Sequence, residues 1–192
     1  MSKKKLIVGI SGASGAIYGV RLLDALAALG IETHLVMSKS AKMTLASETD
    51  LKVSDVNAKA SVVYQIDDVG AAIASGSFIT AGMIVAPCSI RTLSEIAWGT
   101  TSNLLTRAAD VTLKDRRRLV LMVRETPLHL GHIRSMAQAT EAGAIIAPPV
   151  PAFYARPQSI DDMIDHSIGR MLDLFEIENH LALRWPEPRE DR

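Results

Sequence analysis

The chain has 192 residues, 21 basic and 21 acidic side chains, no net formal charge, and 48% hydrophobic content. That balance excludes a disordered chain and the strongly basic surface of a nucleic-acid binder, and the length suits a single domain over residues 1–192 with a substantial core. One cysteine, Cys88, permits no intrachain disulfide and fits a reducing compartment.

The amino-terminal Lys3-Lys4-Lys5 is followed by an apolar run shorter than the h-region of about 7 to 15 residues that a signal peptide needs. No stretch approaches the roughly 20 apolar residues of a membrane span, so a cytoplasmic protein is expected. Leu6 to Ile10 reads as a strand buried on both faces. The small residues Ser11 to Ala16 form a tight loop, and an apolar-periodic helix runs on to Leu29. Gly12 and Gly15 allow a sharp turn and close approach of a ligand, and the free N–H groups at the helix start invite an anion.

What the loop lacks narrows the ligand. Ile10 stands where a dinucleotide fingerprint needs glycine, no Gly-Lys-Ser/Thr closes the loop, and Ala16 breaks the G-x-S-x-G pattern. A mononucleotide or simple phosphate loop survives, with FMN a leading case; glycines serving only strand–helix packing are the bland alternative.

Gly30 caps the helix, Ile31 to Met37 is the second strand, and its end delivers Ser38. Ala41 to Glu48 is a short helix, Thr49 to Ala60 reads as irregular, and Val62 to Gln65 as a brief extended piece. Met83 to Ala86 is the third long strand, after which Ser89 caps a further helix or binds a phosphate. Asn103 to Lys114 is a helix with Arg107 and Lys114 on one face, and Leu119 to Val123 is a strand ending in Arg124-Glu125. An ion pair at the end of a buried strand points to function. Thr126 and Pro127 are expected to open the next helix, which ends near Gly143 before a strand at Ala144 to Ala147. His129 and His132 with Glu125 are too loosely spaced for a metal site. Pro148 to Tyr154 is a stiff aromatic arm, a helix runs from Ser159 or Asp161 to about Asn179, and residues from about 181, Trp185 to Arg192 above all, are a loosely held tail beyond a core of 1–180.

Apolar strands alternating with helices give a three-layer α/β fold with a mostly parallel, doubly wound sheet of Rossmann-type or flavodoxin-like order. Ligands in such sheets sit beyond the carboxyl ends of the strands, where Ser11 to Ser14, Ser38, Cys88 to Thr92 and Arg124-Glu125 all fall.

The segments GISGASGAIYG, APCSIRTL, RAADVTLKDRRRLVLMVRETPLHLGH and PPVPAFYARP, in this order along nearly the whole chain, resemble the UbiX/Pad-type flavin prenyltransferases. The resemblance implies an FMN-binding protein assembled as a dodecamer. It also implies a metal-independent reaction that joins the dimethylallyl group of dimethylallyl phosphate, or of the pyrophosphate, to N5 and C6 of reduced FMN. The prenylated FMN would serve a UbiD-type decarboxylase, often in ubiquinone biosynthesis. By the same resemblance Gly12, Ala13, Ser14, Ser38, Ser89, Ile90, Arg91, Thr92 and Arg124 would hold FMN. Tyr154 and Arg170, joined by Lys114 and Arg107, would hold the prenyl phosphate. Cations and a phenol around a departing phosphate suit allylic C–O cleavage. Glu125 is the expected proton-transfer residue, with Ser14 and Glu48 as helpers. Arg91 departs from the lysine expected in the APCS-x-K-T pattern, which changes the geometry but keeps the charge. Rival readings are an FMN-dependent decarboxylase of the cysteine-decarboxylase type, whose PASANT segment is absent, an aromatic-acid decarboxylase, and a non-enzymatic flavin carrier.

Overall fold

The computed structural model describes residues 4–183, so the tail expected from Trp185 to Arg192 lies outside the described residues. The chain divides into two compact units, Met1–Pro148 and Pro149–Arg192. The first holds six strands, β1 (Lys5–Ile10), β2 (Glu32–Met37), β3 (Val62–Tyr64), β4 (Gly82–Cys88), β5 (Arg118–Val123) and β6 (Ala144–Ile146). They form one sheet in the order β3-β2-β1-β4-β5-β6, with every neighbouring pair parallel. The strands expected from the sequence keep the flavodoxin-like order among themselves, and the brief piece after Ser61 becomes β3 on the outside of β2. β4 is buried along its whole length and β1 and β5 along nearly all of it, because helices flank the sheet and leave no wet face.

The helices of this unit are α1 (Ala16–Ala28), α2 (Lys39–Glu48), α3 (Val53–Asn57), α4 (Ile90–Ala97), α5 (Leu104–Lys114) and α6 (Leu130–Glu141). α1 lies close on β4, since a Cβ at Gly19 would stand 2.6 Å from the carbonyl oxygen of Ala86. Leu93, Leu104, Leu105 and Ala108 pack from α4 and α5 against Val85, Leu119 and Leu121 of the sheet.

Two elements differ from the sequence reading. The segment expected to be irregular contains α3, started by the Asp55 carboxylate, which accepts from the backbone N–H of Lys52 at 2.8 Å. α6 begins at Leu130 rather than at Pro127, because His129 is the N-cap, its Nδ1 accepting from the N–H of Gly131 at 3.0 Å.

The second unit contains a 3-10 turn at Phe153–Ala155 and α7 (Ile160–Asp173). Ser159 caps α7 by accepting from the N–H of Asp162, whose carboxylate accepts in return from the N–H of Ser159. α7 stops at Asp173, short of the expected Asn179, because the Asn179 amide donates to the carbonyls of Gly169 and Ile177 and folds the chain back on the helix. Gly169 makes room for that return, as a Cβ there would stand 2.5 Å from the nitrogen of Ala182.

Candidate active site

The carboxyl ends of β1, β2, β4 and β5 are tied into one edge by hydrogen bonds that cross from strand to strand. The fully buried Ser11 hydroxyl donates to the carbonyl of Pro87 at 2.9 Å and accepts from the N–H of Ser89 at 2.7 Å. The N–H of Ser38 donates to Ile10 and that of Arg124 to Cys88. Ser11 is therefore spent inside the protein, and it fixes where the loops carrying Gly12 and Ser89 emerge.

Two of the helices that start on this edge carry serine caps. Ser38 caps α2, its Oγ accepting from the N–H of Ala41 at 3.0 Å, and Ser89 caps α4, accepting from the N–H of Thr92 at 3.3 Å. A cavity of about 250 Å³ lies between them, lined by Gly12, Ser38, Lys39, Ser40, Ser89, Arg91 and Thr92, and beyond these by Ile66, Asp67, Glu95, Ser102 and Asn103. A Cβ at Gly12 would stand 2.2 Å from the Cβ of Ser40, so only glycine lets the β1 loop come this close to α2. Two helix N-termini, hydroxyls, Lys39 and Arg91 around one cavity form an anion site. The cavity falls below the roughly 300 Å³ at which small-molecule pockets usually begin, which suits the phosphate end of a mononucleotide.

At α1 the anion foreseen for the glycine loop is the chain's own. The Glu48 carboxylate accepts from the N–H of Gly15 at 2.8 Å and of Ala16 at 3.1 Å. Burial acts to raise the pKa of Glu48, but bonds from the Ser14 side chain and from Gly15 and Ala16, together with the nearby Arg124, outweigh it and hold the pKa below the usual range. Arg124 also faces Tyr18, whose pKa is raised by burial and only partly drawn back by that charge. Ser14, Glu48 and Arg124 thus form one polar group at the start of α1, where the N–H groups of Gly15 and Ala16 are already engaged. Gly15, with φ of +97°, turns the loop so that its N–H meets Glu48.

The other expected residues fall as follows. Ala13 is buried within the loop, Ile90 opens α4, and Thr92 is buried with its Oγ1 accepting from the Ser89 hydroxyl. Glu125 is exposed and its Oε1 accepts from the N–H of Thr126 at 2.9 Å. Arg107 pairs with Asp110 at 2.8 Å, and Lys114 with Asp115 at 2.7 Å. α5 starts at the pocket and is about 16 Å long at about 1.5 Å per residue, so Lys114 lies at the opposite end of the sheet, where β5 begins. In the second unit the Tyr154 hydroxyl and His166 Nε2 are 3.1 Å apart, and Arg170, one turn along α7 from His166, pairs with Asp173 at 2.8 Å. Trp98, open in the sequence to a core or a wall role, is 65% exposed at the end of α4 and is no core residue.

Lys39, Glu95, Ser102 and His166 have no assigned role in the sequence reading. Lys39 follows Ser38 directly, and its ion pair with Asp67 at 3.2 Å joins α2 to the loop after β3. The one signal available beforehand was the i,i+4 spacing of Arg91 and Glu95. Nothing local in the sequence marks His166 as the partner of Tyr154.

Comparison with known proteins agrees with this geometry. The Flavoprotein family matches residues 1–179. Over 181 residues the chain is 60% identical to the flavin prenyltransferase UbiX of Thauera aromatica, an alignment covering 94% of this chain and 93% of that one. The crystal structure of AnUbiX in complex with FMN and dimethylallyl pyrophosphate matches with a TM-score of 0.95 at 50% identity, covering 97% of this chain and 99% of that one. A dodecameric FMN-dependent UbiX-like decarboxylase from Escherichia coli O157:H7 matches with a TM-score of 0.93 at 48% identity, covering 95% and 100% of the two chains. No helix among the described residues is long and apolar enough to cross a membrane.

Proposed function

Because the chain belongs to the UbiX flavin prenyltransferase family, we propose that it transfers the dimethylallyl group of dimethylallyl phosphate to reduced FMN, as a cytoplasmic homo-oligomer, and supplies the prenylated flavin to a UbiD-type decarboxylase. The observation that carries the reading is the anion pocket between the N-termini of α2 and α4, in a chain that matches an FMN-bound and prenyl-pyrophosphate-bound relative over nearly its whole length.

Gly12, Ser38, Ser89, Arg91 and Thr92 hold the phosphate of FMN in this pocket, and Ala13, Ser14, Ile90 and Arg124 border the rest of the cofactor. When bound, reduced FMN supplies the N5 and C6 positions to which the prenyl carbons are joined. Ser14 and Glu48 form a hydrogen-bonded pair beside Arg124, so a proton leaving the flavin region meets an acceptor already ionised near neutral pH. Arg124 balances the charge of that carboxylate. Tyr154 and Arg170 bind the prenyl phosphate, and the hydrogen bond to His166 fixes the direction of the Tyr154 phenol. Glu125 protonates the departing phosphate. Lys114, at the far end of α5 in its own protomer, and Arg107 add positive charge to the prenyl phosphate of a neighbouring copy in the oligomer. Cations and donors placed where negative charge develops lower the barrier to C–O cleavage.

The reading is tested by mixing the protein with reduced FMN and dimethylallyl phosphate without oxygen and measuring inorganic phosphate. Release of one phosphate per FMN, lost in Glu125→Gln with FMN still bound, is expected. No phosphate release, and no pyrophosphate release from the pyrophosphate donor, would overturn it.

A further inference from the structure

The phosphate pocket has a rim that runs from α4 to the start of α5 and carries an acidic residue that phosphate binding alone does not call for. Glu95 sits one turn after Arg91 and lines the cavity with it. Its side chain is only 14% exposed, against 81% for Arg91. One carboxylate oxygen accepts from Arg91 Nε at 3.0 Å, and the other from the Ser102 hydroxyl at 2.5 Å. The Ser102 oxygen accepts in turn from the Asn103 side-chain amide at 3.1 Å, and Asn103 Oδ1 caps α5 by accepting from the N–H of Thr106 at 3.1 Å. An ordinary i,i+4 surface pair joins two solvated side chains and contributes little. Here the carboxylate is withdrawn from water with both oxygens engaged, and its second partner is anchored to the cap of another helix.

We propose that Glu95 is a positioning residue, which holds Arg91 by Nε so that the terminal guanidinium nitrogens meet the phosphate of the mononucleotide; the proposal rests on the FMN reading of the pocket. An arginine has five donors in a planar fork, and engaging Nε leaves the terminal pairs for a phosphate. Two effects oppose one another. The carboxylate repels a phosphate dianion, whereas tethering spares Arg91 the loss of rotamer freedom that a loose arginine undergoes on binding. The tether dominates, because the carboxylate's charge is already balanced by the Arg91 guanidinium paired with it at 3.0 Å and by the Ser102 hydroxyl, whereas a loose arginine bears the rotamer cost in full. Arginine suits this geometry better than lysine would, because a lysine ammonium has no Nε–H set apart for the carboxylate.

The experiment measures dissociation constants for FMN and for riboflavin, which lacks the phosphate, in the wild type, Glu95→Ala, Glu95→Gln, Ser102→Ala, Arg91→Ala and the double variant lacking both Arg91 and Glu95 side chains, with thermal melting to confirm folding. Glu95→Ala is expected to weaken FMN about tenfold and to leave riboflavin unchanged. Glu95→Gln, which keeps an acceptor for Nε, restores most of the affinity. Ser102→Ala frees the carboxylate without touching Arg91 and weakens FMN about threefold, which keeps the test open if Glu95→Ala does not fold. In the Arg91→Ala background the loss of Glu95 has no further effect. Tighter FMN binding in either Glu95 variant, equal losses for riboflavin, or the same loss without Arg91 would overturn the proposal. A wild type that binds no FMN would defeat the FMN reading itself, whereas a wild type that binds FMN beside an unaffected Glu95→Ala defeats only the role of Glu95.

Discussion

Removing the Ser11 hydroxyl probes how the strand ends build the pocket. Ser11→Ala leaves the carbonyl of Pro87 with one donor, the N–H of Ser11 at 3.2 Å, so the lost bond there costs about 1 kcal/mol. The N–H of Ser89 loses its acceptor at 2.7 Å, and an orphaned, partly buried donor costs a further ~1–3 kcal/mol. The sum is about 3 kcal/mol, which for a chain of 192 residues corresponds to a drop in Tm of about 6–12 °C. Urea unfolding with matched m-values, beside thermal melting, measures it, and Ser77→Ala at an exposed hydroxyl serves as the control within about 0.5 kcal/mol of wild type. Because Ser89 is also the cap of α4, FMN affinity falls together with stability. A loss in Ser11→Ala no larger than in the control would refute the claim that this hydroxyl ties β1 to β4.

Three further outcomes follow from the same geometry. Gly12→Ala forces the β1 loop away from Ser40, because the added Cβ has 2.2 Å where it needs well over 3 Å; FMN affinity is expected to fall at least about tenfold by fluorescence titration, and an unchanged value would contradict the close approach. Glu48 is more acidic folded than unfolded, so its contribution to stability is present above the ordinary carboxylate range and is lost as pH falls through its lowered folded value. Glu48→Gln should therefore flatten the acid side of the stability profile and leave the slope above neutrality unchanged. Tyr154→Phe and Arg170→Ala should raise KM for the prenyl phosphate with FMN affinity unaltered, and normal saturation in both would remove these residues from the substrate site.

The sheet was legible because its strands are short, apolar runs punctuated by glycine and proline. Leu6 to Ile10 and Leu119 to Val123 carry that signal whatever their neighbours do. The start of α6 was not, since the rule that places proline in a first helical turn pointed to Pro127, whereas the cap is an imidazole two residues on, His129. The serines of the site were legible as caps or ligands at strand ends, and both Ser38 and Ser89 do cap. Glu48 shows the limit. An acidic residue at the end of α2 gives no local sign that its carboxylate reaches across 33 positions to the N–H of Gly15 and takes the place expected for a phosphate. Pairings of that kind, like Tyr154 with His166, depend on the three-dimensional return of the chain and leave no periodic trace in the sequence.

The most direct test of the whole account is mass spectrometry of the flavin released after incubation with dithionite, FMN and dimethylallyl phosphate in the absence of oxygen. The account predicts a flavin heavier by one prenyl unit that does not form when the prenyl phosphate is omitted. An unmodified flavin from protein shown to hold reduced FMN, with both the phosphate and the pyrophosphate donor, would contradict it.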